Sequence, residues 1–224
     1  GVSIAATITA SAPMNVKQLL DLKGRVALVT GGSRGLGLQM AEALGEMGAR
    51  LALTARKQNE LDEAVAHLKA QGIEATAWVC DLGQREQIAP AVEGMLAKLG
   101  KIDILVNNAG TTWGAPAEDH PLEAWDKLVN LNLTGTFLAS QLVAKKSMIP
   151  SKWGRIVNVA SVAGLMASDP RVVKTVAYNA TKHGVVGLTR QLAAEWGEHG
   201  ITVNAICPGF FPSRMTRATL DTLG

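Results

Sequence analysis

The stretch RVALVTGGSRGLG, Arg25 to Gly37, decides the reading of this chain. A short β-branched apolar run, Arg25–Thr30, enters a glycine turn without a linker, and a segment of helical period follows at once. Glycines in such a turn let backbone N–H groups approach an anion closely, at the positive end of the helix that starts there. The spacing here is GxxxGxG and not the generic GxGxxG, so the argument rests on the strand before and the helix after. Gly31, Ser33, Arg34, Gly35, Leu36 and Gly37 are the candidate phosphate-binding positions.

Outward from this turn the same unit repeats. Further strands are expected at Arg50–Thr54, Ala75–Cys80, Ile102–Asn107, Gly154–Ala160 and Ile201–Cys207. Between them lie helical patterns such as Gly37–Met47, with Leu36, Met40, Ala43, Leu44 and Met47 on one face, and Asn59–Ala70, with Leu61, Ala64, Val65 and Leu68. Runs such as VALV and ILV are apolar throughout, as strands covered on both faces must be. Six strands alternating with helices predict an α/β fold, a single-domain doubly wound parallel sheet of Rossmann type. Residues 1–13 lack the basic start of a secretory signal and read as a leader or cloning remnant. Residues 14–224 read as one domain.

Sheets of this type bind ligands at the carboxyl ends of their strands, where strand order reverses. The second strand ends in Thr54-Ala55-Arg56-Lys57, without the carboxylate that meets a free ribose 2′-hydroxyl. Arg56, with Arg34 from the glycine turn, suits a 2′-phosphate through charge-assisted hydrogen bonds, so NADP(H) is expected in preference to NAD(H). Asp81, beside Leu82 after the third strand, is placed to accept a hydrogen bond from an adenine amine. The fourth strand runs into Asn107-Asn108-Ala109-Gly110, a plain turn in isolation but one that flanks the reversal point. Ser161 closes the fifth strand. Tyr178, the only tyrosine, has Lys182 four residues on, which on a helix puts both on one face. Asn132 falls mid-helix, where asparagine is a poor helix former.

Composition narrows the function. The chain is 47% apolar and 18% charged with 23 glycines, as a globular core requires. A net charge of +3 from 22 basic and 19 acidic residues, without basic–aromatic interleaving, argues against nucleic acid. No apolar run approaches a membrane span. Cys80 and Cys207 form no disulfide framework or ligand spacing, and His67, His120, His183 and His199 are scattered, so no metal is expected. A soluble, metal-free, cytoplasmic domain is the class that remains.

Taken together, TGGSRGLG, NNAG, Ser161, YNATK and Pro208-Gly209 resemble the short-chain dehydrogenases/reductases over roughly residues 21–215. Within that family the chain is similar to 3-oxoacyl-carrier-protein reductases and gluconate 5-dehydrogenase-type members. The resemblance implies that Gly31, Gly35 and Gly37 shape a pyrophosphate turn and that Asn108 braces it, beside Ala109 and Gly110. It implies that Tyr178 is the general acid/base, Lys182 its activator and a ribose ligand, and Ser161 the group that positions a carbonyl oxygen. Asn132 would order the water of a proton relay, and Pro208, Gly209, Phe211 and Ser213 would border the nicotinamide. The activity implied is hydride transfer between NADP(H) and a carbonyl or secondary alcohol, by a ketoreductase working as a homodimer or homotetramer. Alternatives are an epimerase or dehydratase on the same scaffold, and a non-catalytic NADP-binding regulatory or interaction module.

Two departures from the family pattern stand out. Ser161 and Tyr178 are seventeen positions apart, so Asp169–Thr175 reads as an insertion beside the substrate pocket. The chain ends at Gly224, before a last helix and a seventh strand, so an incomplete domain is expected. Physically, an ammonium ~4 Å from a phenol at an effective dielectric near 20 is worth about 4 kcal/mol. That would bring a phenol of ordinary pKa ≈ 10 down into the neutral range.

Overall fold

The computed structural model describes residues 15–209 and 211. A single turn, α1 (Val16–Leu19), precedes β1 (Val26–Thr30), α2 (Gly35–Glu46), β2 (Arg50–Ala55), α3 (Gln58–Ala70), β3 (Ala75–Val79), α4 (Arg85–Leu99) and β4 (Ile104–Asn107). One long helical stretch then joins α5 (Leu122–Leu128) to α6 (Thr136–Val143) through a π-helical segment, Val129–Gly135. A second π-helical segment, Ala144–Met148, leads into the turn α7 (Ile149–Ser151), followed by β5 (Gly154–Val159), α8 (Val176–Trp196) and β6 (Ile201–Ile206). The leader positions 1–13 lie outside the described residues.

All six strands pair in parallel in the order β3-β2-β1-β4-β5-β6. This is the doubly wound sheet expected from the sequence, with its switch point between β1 and β4. Each side of the sheet has its own core. On one, Ala41 of α2 and Leu61, Ala64 and Leu68 of α3 pack on Val29, Leu53 and Val106. On the other, Ile88 and Met95 of α4, Val143 of α6 and Leu192 of α8 pack on Leu28, Leu105 and Ile156. Both faces of β1 are therefore buried, which is why its sequence never alternates.

The inward face of α2 differs from the periodicity reading. Gly37 and Ala41 are its buried residues, whereas Ala43 and Met47 are exposed. Close approach explains it. A Cβ on Gly37 would lie 2.2 Å from the Gly31 carbonyl oxygen, so the smallest residues make the closest approach, while Met40 and Leu44 of the expected face still pack, partly buried, against the core.

At the amino edge of the sheet, buried Asp103 accepts from the backbone N–H of Val26 and pairs with Arg25 and Lys101. These bonds satisfy a carboxylate that would otherwise be costly to bury, and they anchor β1 to β4 below the turn. The opposite edge carries the site.

Candidate active site

A cleft of about 690 Å³ runs along the carboxyl ends of the strands. It is lined by the glycine turn, Arg56, Asp81, Leu82, Asn108–Gly110, Ser161, Tyr178, Lys182, Pro208, Gly209 and Phe211. Asn132 does not line it and sits behind the wall, 1% exposed. Ser213 lies outside the described residues.

The first third of the cleft is backbone. Gly31 and Gly35 have φ of +63° and +55°, the left-handed conformation that turns successive N–H groups toward one point. Asn108 braces this turn from β4: its Nδ2 donates to the carbonyls of Thr30 (3.0 Å) and Gly31 (3.1 Å). Thr30 Oγ1 in turn accepts from the N–H groups of Asn108 and Ala109. The turn is thus stitched across the switch point before any ligand arrives. The positive φ of Gly31 and Gly35 at the start of α2 suits this cradle to a dinucleotide's pyrophosphate, and only glycine at Gly37 lets the helix close on the Gly31 carbonyl.

Charged side chains gather at the β2 end, and here the sequence expectation needs correction. No carboxylate stands at the strand end itself, but Glu60 reaches in from the first turn of α3. Its Oε1 accepts from Arg34 Nη1 at 2.6 Å and lies 3.4 Å from Lys57 Nζ. Arg34 is therefore already engaged, whereas Arg56 has no ion-pair partner among the described residues. Pairwise spacing could not show this, since Arg34 and Glu60 meet only once α2 and α3 pack side by side. Just after the neighbouring strand, β3, Asp81 accepts from the Gly83 N–H through Oδ1, as an ordinary turn aspartate does. Cys80 is buried, and burial pushes its thiol up to about 11.

The far end of the cleft is buried and polar. Ser161, 9% exposed, caps a short turn, Val162–Gly164, by accepting from the Ala163 N–H, and that turn packs on α8. Tyr178 lines the same end of the cleft, where Ser161 acts to lower its phenol's pKa. Lys182 lies one turn along α8, 5% exposed, its Nζ 5.6 Å from the centre of the Tyr178 ring. That ammonium donates to the Val159 carbonyl at 2.6 Å. Burial lowers its pKa to about 8, with the Cys207 thiol opposing the shift.

The phenol departs from the expected direction. Burial pushes Tyr178 above its ordinary value, and Ser161 offsets only part of this. An ammonium ~4 Å away at an effective dielectric near 20 would lower the phenol. Lys182 is instead held back by Val159, and desolvation of the phenol outweighs its attraction.

Asn132 occupies the π-helical segment, where the helical wind is loosened. Its Oδ1 accepts from the Thr111 N–H, and its Nδ2 donates to the Thr111 carbonyl and to Thr181 Oγ1 on α8. Behind it runs a buried relay of side chains that the sequence reading missed. Thr136 donates to the Asn132 carbonyl and Ser140 to the Thr136 carbonyl. Asn107 donates to Ser140 and to Asn158, and Asn158 to Thr189 on α8. The two helices that carry Asn132 and Tyr178 are so tied to each other through the sheet. The segment read as an insertion is fastened too. Ala115 bridges Thr175 and donates to the Lys174 carbonyl, and Asn179, beside Tyr178, bonds Ser168.

The fold thus brings a glycine turn to one end of the cleft and Ser161, Tyr178 and Lys182 to the other. The comparisons name the family. The chain belongs to the short chain dehydrogenases, whose family model matches residues 25–224. It is 39% identical over 196 residues to a 3-oxoacyl-[acyl-carrier-protein] reductase of Synechocystis, spanning 87% of this chain and 77% of that protein. A gluconate 5-dehydrogenase of Burkholderia cenocepacia, solved with NADP and tartrate, superposes with a TM-score of 0.87 at 34% identity, covering 92% of this chain and 79% of that one. A xylitol dehydrogenase solved with NAD+ gives 0.81 at 35% identity, covering 86% and 73%. The family's members are oxidoreductases that use nicotinamide cofactors on small molecules. Among the described residues no helix is long and apolar enough to cross a membrane, and no cluster of His, Cys, Asp or Glu could hold a metal ion.

Proposed function

We propose that the protein is an NADP(H)-dependent carbonyl reductase and alcohol dehydrogenase in which Tyr178 exchanges the proton with substrate. The observation that carries this reading is the convergence of Ser161, Tyr178 and a nearly buried Lys182 at the end of a cleft whose other end is an anion-binding turn. Gly31, Ser33, Gly35, Leu36 and Gly37 would hold the pyrophosphate, Asp81 and Leu82 the adenine, Arg34 and Arg56 the 2′-phosphate. Lys182, Ala109, Gly110, Pro208, Gly209 and Phe211 would border the nicotinamide half. When bound, the nicotinamide supplies the hydride and its acceptor.

The chain's own residues supply the proton and the geometry. The phenol is protonated at neutral pH and so has a proton to donate to a carbonyl oxygen as that oxygen gains negative charge, although burial, by raising its pKa, weakens it as an acid. Ser161, which lines the cleft together with that phenol, would hold the oxygen beside it. The Lys182 ammonium stabilises the phenolate left behind and so lowers the barrier to its formation. Both polar atoms of the Asn132 amide are engaged by protein groups, so its part is to position Thr111 and α8. The preference for NADP over NAD rests on Arg34 and Arg56, with the NADP of the Burkholderia structure in support. Exposed Leu122, Trp125 and Phe137 on α5 and α6 support a homodimer or homotetramer. Residence is proposed to be cytoplasmic.

Assaying ketones, 3-oxoacyl thioesters and sugar acids with NADPH and with NADH tests the reading. Turnover of at least one class, faster with NADPH, is expected. Tight NADPH binding without turnover of any class would favour a non-catalytic binding module.

A further inference from the structure

We propose that Glu60 sets the cofactor preference from the opposite side: it competes with a cofactor's 2′-phosphate for Arg34 and Lys57, and so narrows the advantage that Arg56 gives NADPH. This rests on the reading of the β2 end as the 2′-subsite.

An acidic residue in a first helical turn ordinarily faces its own helix, where it favours the positive end of the dipole. Glu60 also reaches beyond it: Oε1 accepts from Arg34 and pairs with Lys57, the N-cap residue of α3, while Oε2 faces Ser33 Oγ of the glycine turn at 3.5 Å. Its side chain is 19% exposed, against 48% for Arg34 and 62% for Lys57, so it is the most enclosed of these charges. It also lines the same cleft as Gly31 and Arg56.

Two ligands meet this arrangement differently. A 2′-phosphate carries close to two negative charges at neutral pH. To bind Arg34 it must displace Glu60 or share one guanidinium with it, and two anions on one cation repel each other. A 2′-hydroxyl carries no charge and can donate its proton to a carboxylate, the partner that free ribose usually finds at this point of the fold. Glu60 therefore opposes NADPH and supports NADH, while Arg56 and Arg34 do the reverse. A family scaffold with arginines alone would discriminate more sharply.

Titration of the full chain with NADPH and with NADH, followed by cofactor fluorescence, tests this by binding alone. Glu60→Gln, which keeps the shape and removes the charge, should tighten NADPH three- to tenfold and leave NADH unchanged or weaker. The ratio of the two dissociation constants should thus move at least threefold toward NADPH. A smaller change, or a shift toward NADH, overturns the proposal. Glu60→Ala should move the ratio in the same sense, and thermal midpoints of both variants show that the fold is kept. A purely structural role for Glu60 would weaken both cofactors equally, which also counts against the proposal. Arg56→Asp in the same titration separates the two ideas. If it lowers the ratio while Glu60→Gln does not raise it, only Glu60 is misassigned. If it leaves the ratio unchanged, the 2′-subsite itself is misplaced and both fall.

Discussion

The cations at the two ends of the cleft sit in opposite surroundings. Arg34 and Lys57 at the β2 end are half exposed and share a carboxylate. Lys182 at the α8 end is 5% exposed, and a backbone carbonyl is its hydrogen-bond acceptor. Charges of the first kind are screened and exchange partners at little cost, so they suit the choice between two similar ligands. A charge of the second kind is expensive in the folded state and acts strongly on its neighbours. Cofactor choice and chemistry thus draw on different physics within one cleft, and the two ends should respond differently to substitution.

The largest response is expected at the buried end. Lys182→Met should lower kcat by about 10²–10⁴, the range for losing a group that supports proton transfer. It should also stabilise the fold at pH 7. The fall of the Lys182 pKa from 10.5 to about 8 amounts to roughly 3 kcal/mol of strain on the charged form, partly offset by the lost bond to Val159. Between pH 8 and 10.5 the unfolded chain holds a proton that the folded chain has shed, so wild-type stability rises with pH across that window. Urea unfolding should show the variant's advantage shrinking from pH 7 to pH 9.5. An advantage that does not shrink would mean that the ammonium is not the source of the strain.

At the exposed end the effect is smaller and confined to binding. Arg56→Asp should shift the NADPH to NADH affinity ratio by roughly 10- to 100-fold toward NADH, the worth of one charge-assisted hydrogen bond of about 1.5–3 kcal/mol. Raising salt should shrink the wild-type ratio, because these charges are screened. Calorimetric titration at two ionic strengths checks both statements.

The relay behind the site should matter more to stability than to turnover. Asn158→Leu removes one bond each from the Asn107 amide, which keeps Ser140, and from the Thr189 hydroxyl, which keeps the Val185 carbonyl, and should destabilise the fold by about 1–3 kcal/mol. Because it acts on the helices and not on the reacting groups, kcat should fall less than tenfold. A loss of turnover as large as that of Lys182→Met would mean that the relay takes part in the chemistry.

What the sequence could tell follows from where each signal lives. VALVT and ILVN announced strands because both faces of β1 and β4 are buried, and the glycine turn announced itself through the elements on either side. Tyr178 and Lys182 share a helix, so their pairing was a matter of spacing. Glu60 was invisible because it reaches Arg34 across two helices. The Asn107–Asn158 pair was equally hidden, since polar residues inside strands give no pattern until their partners across the core are known. The direction of the Tyr178 shift depended on burial, which a four-residue interval does not encode.

Single-turnover reduction by Tyr178→Phe, with NADPH affinity measured on the same protein, tests the central assignment most directly. The hydroxyl that holds the transferable proton is removed, while the glycine turn, Arg56 and Lys182 remain. The rate of carbonyl reduction should fall by at least 10², with the NADPH dissociation constant within about threefold of wild type. A variant that reduces substrate at a tenth of the wild-type rate or faster would contradict the assignment of Tyr178 as the proton donor.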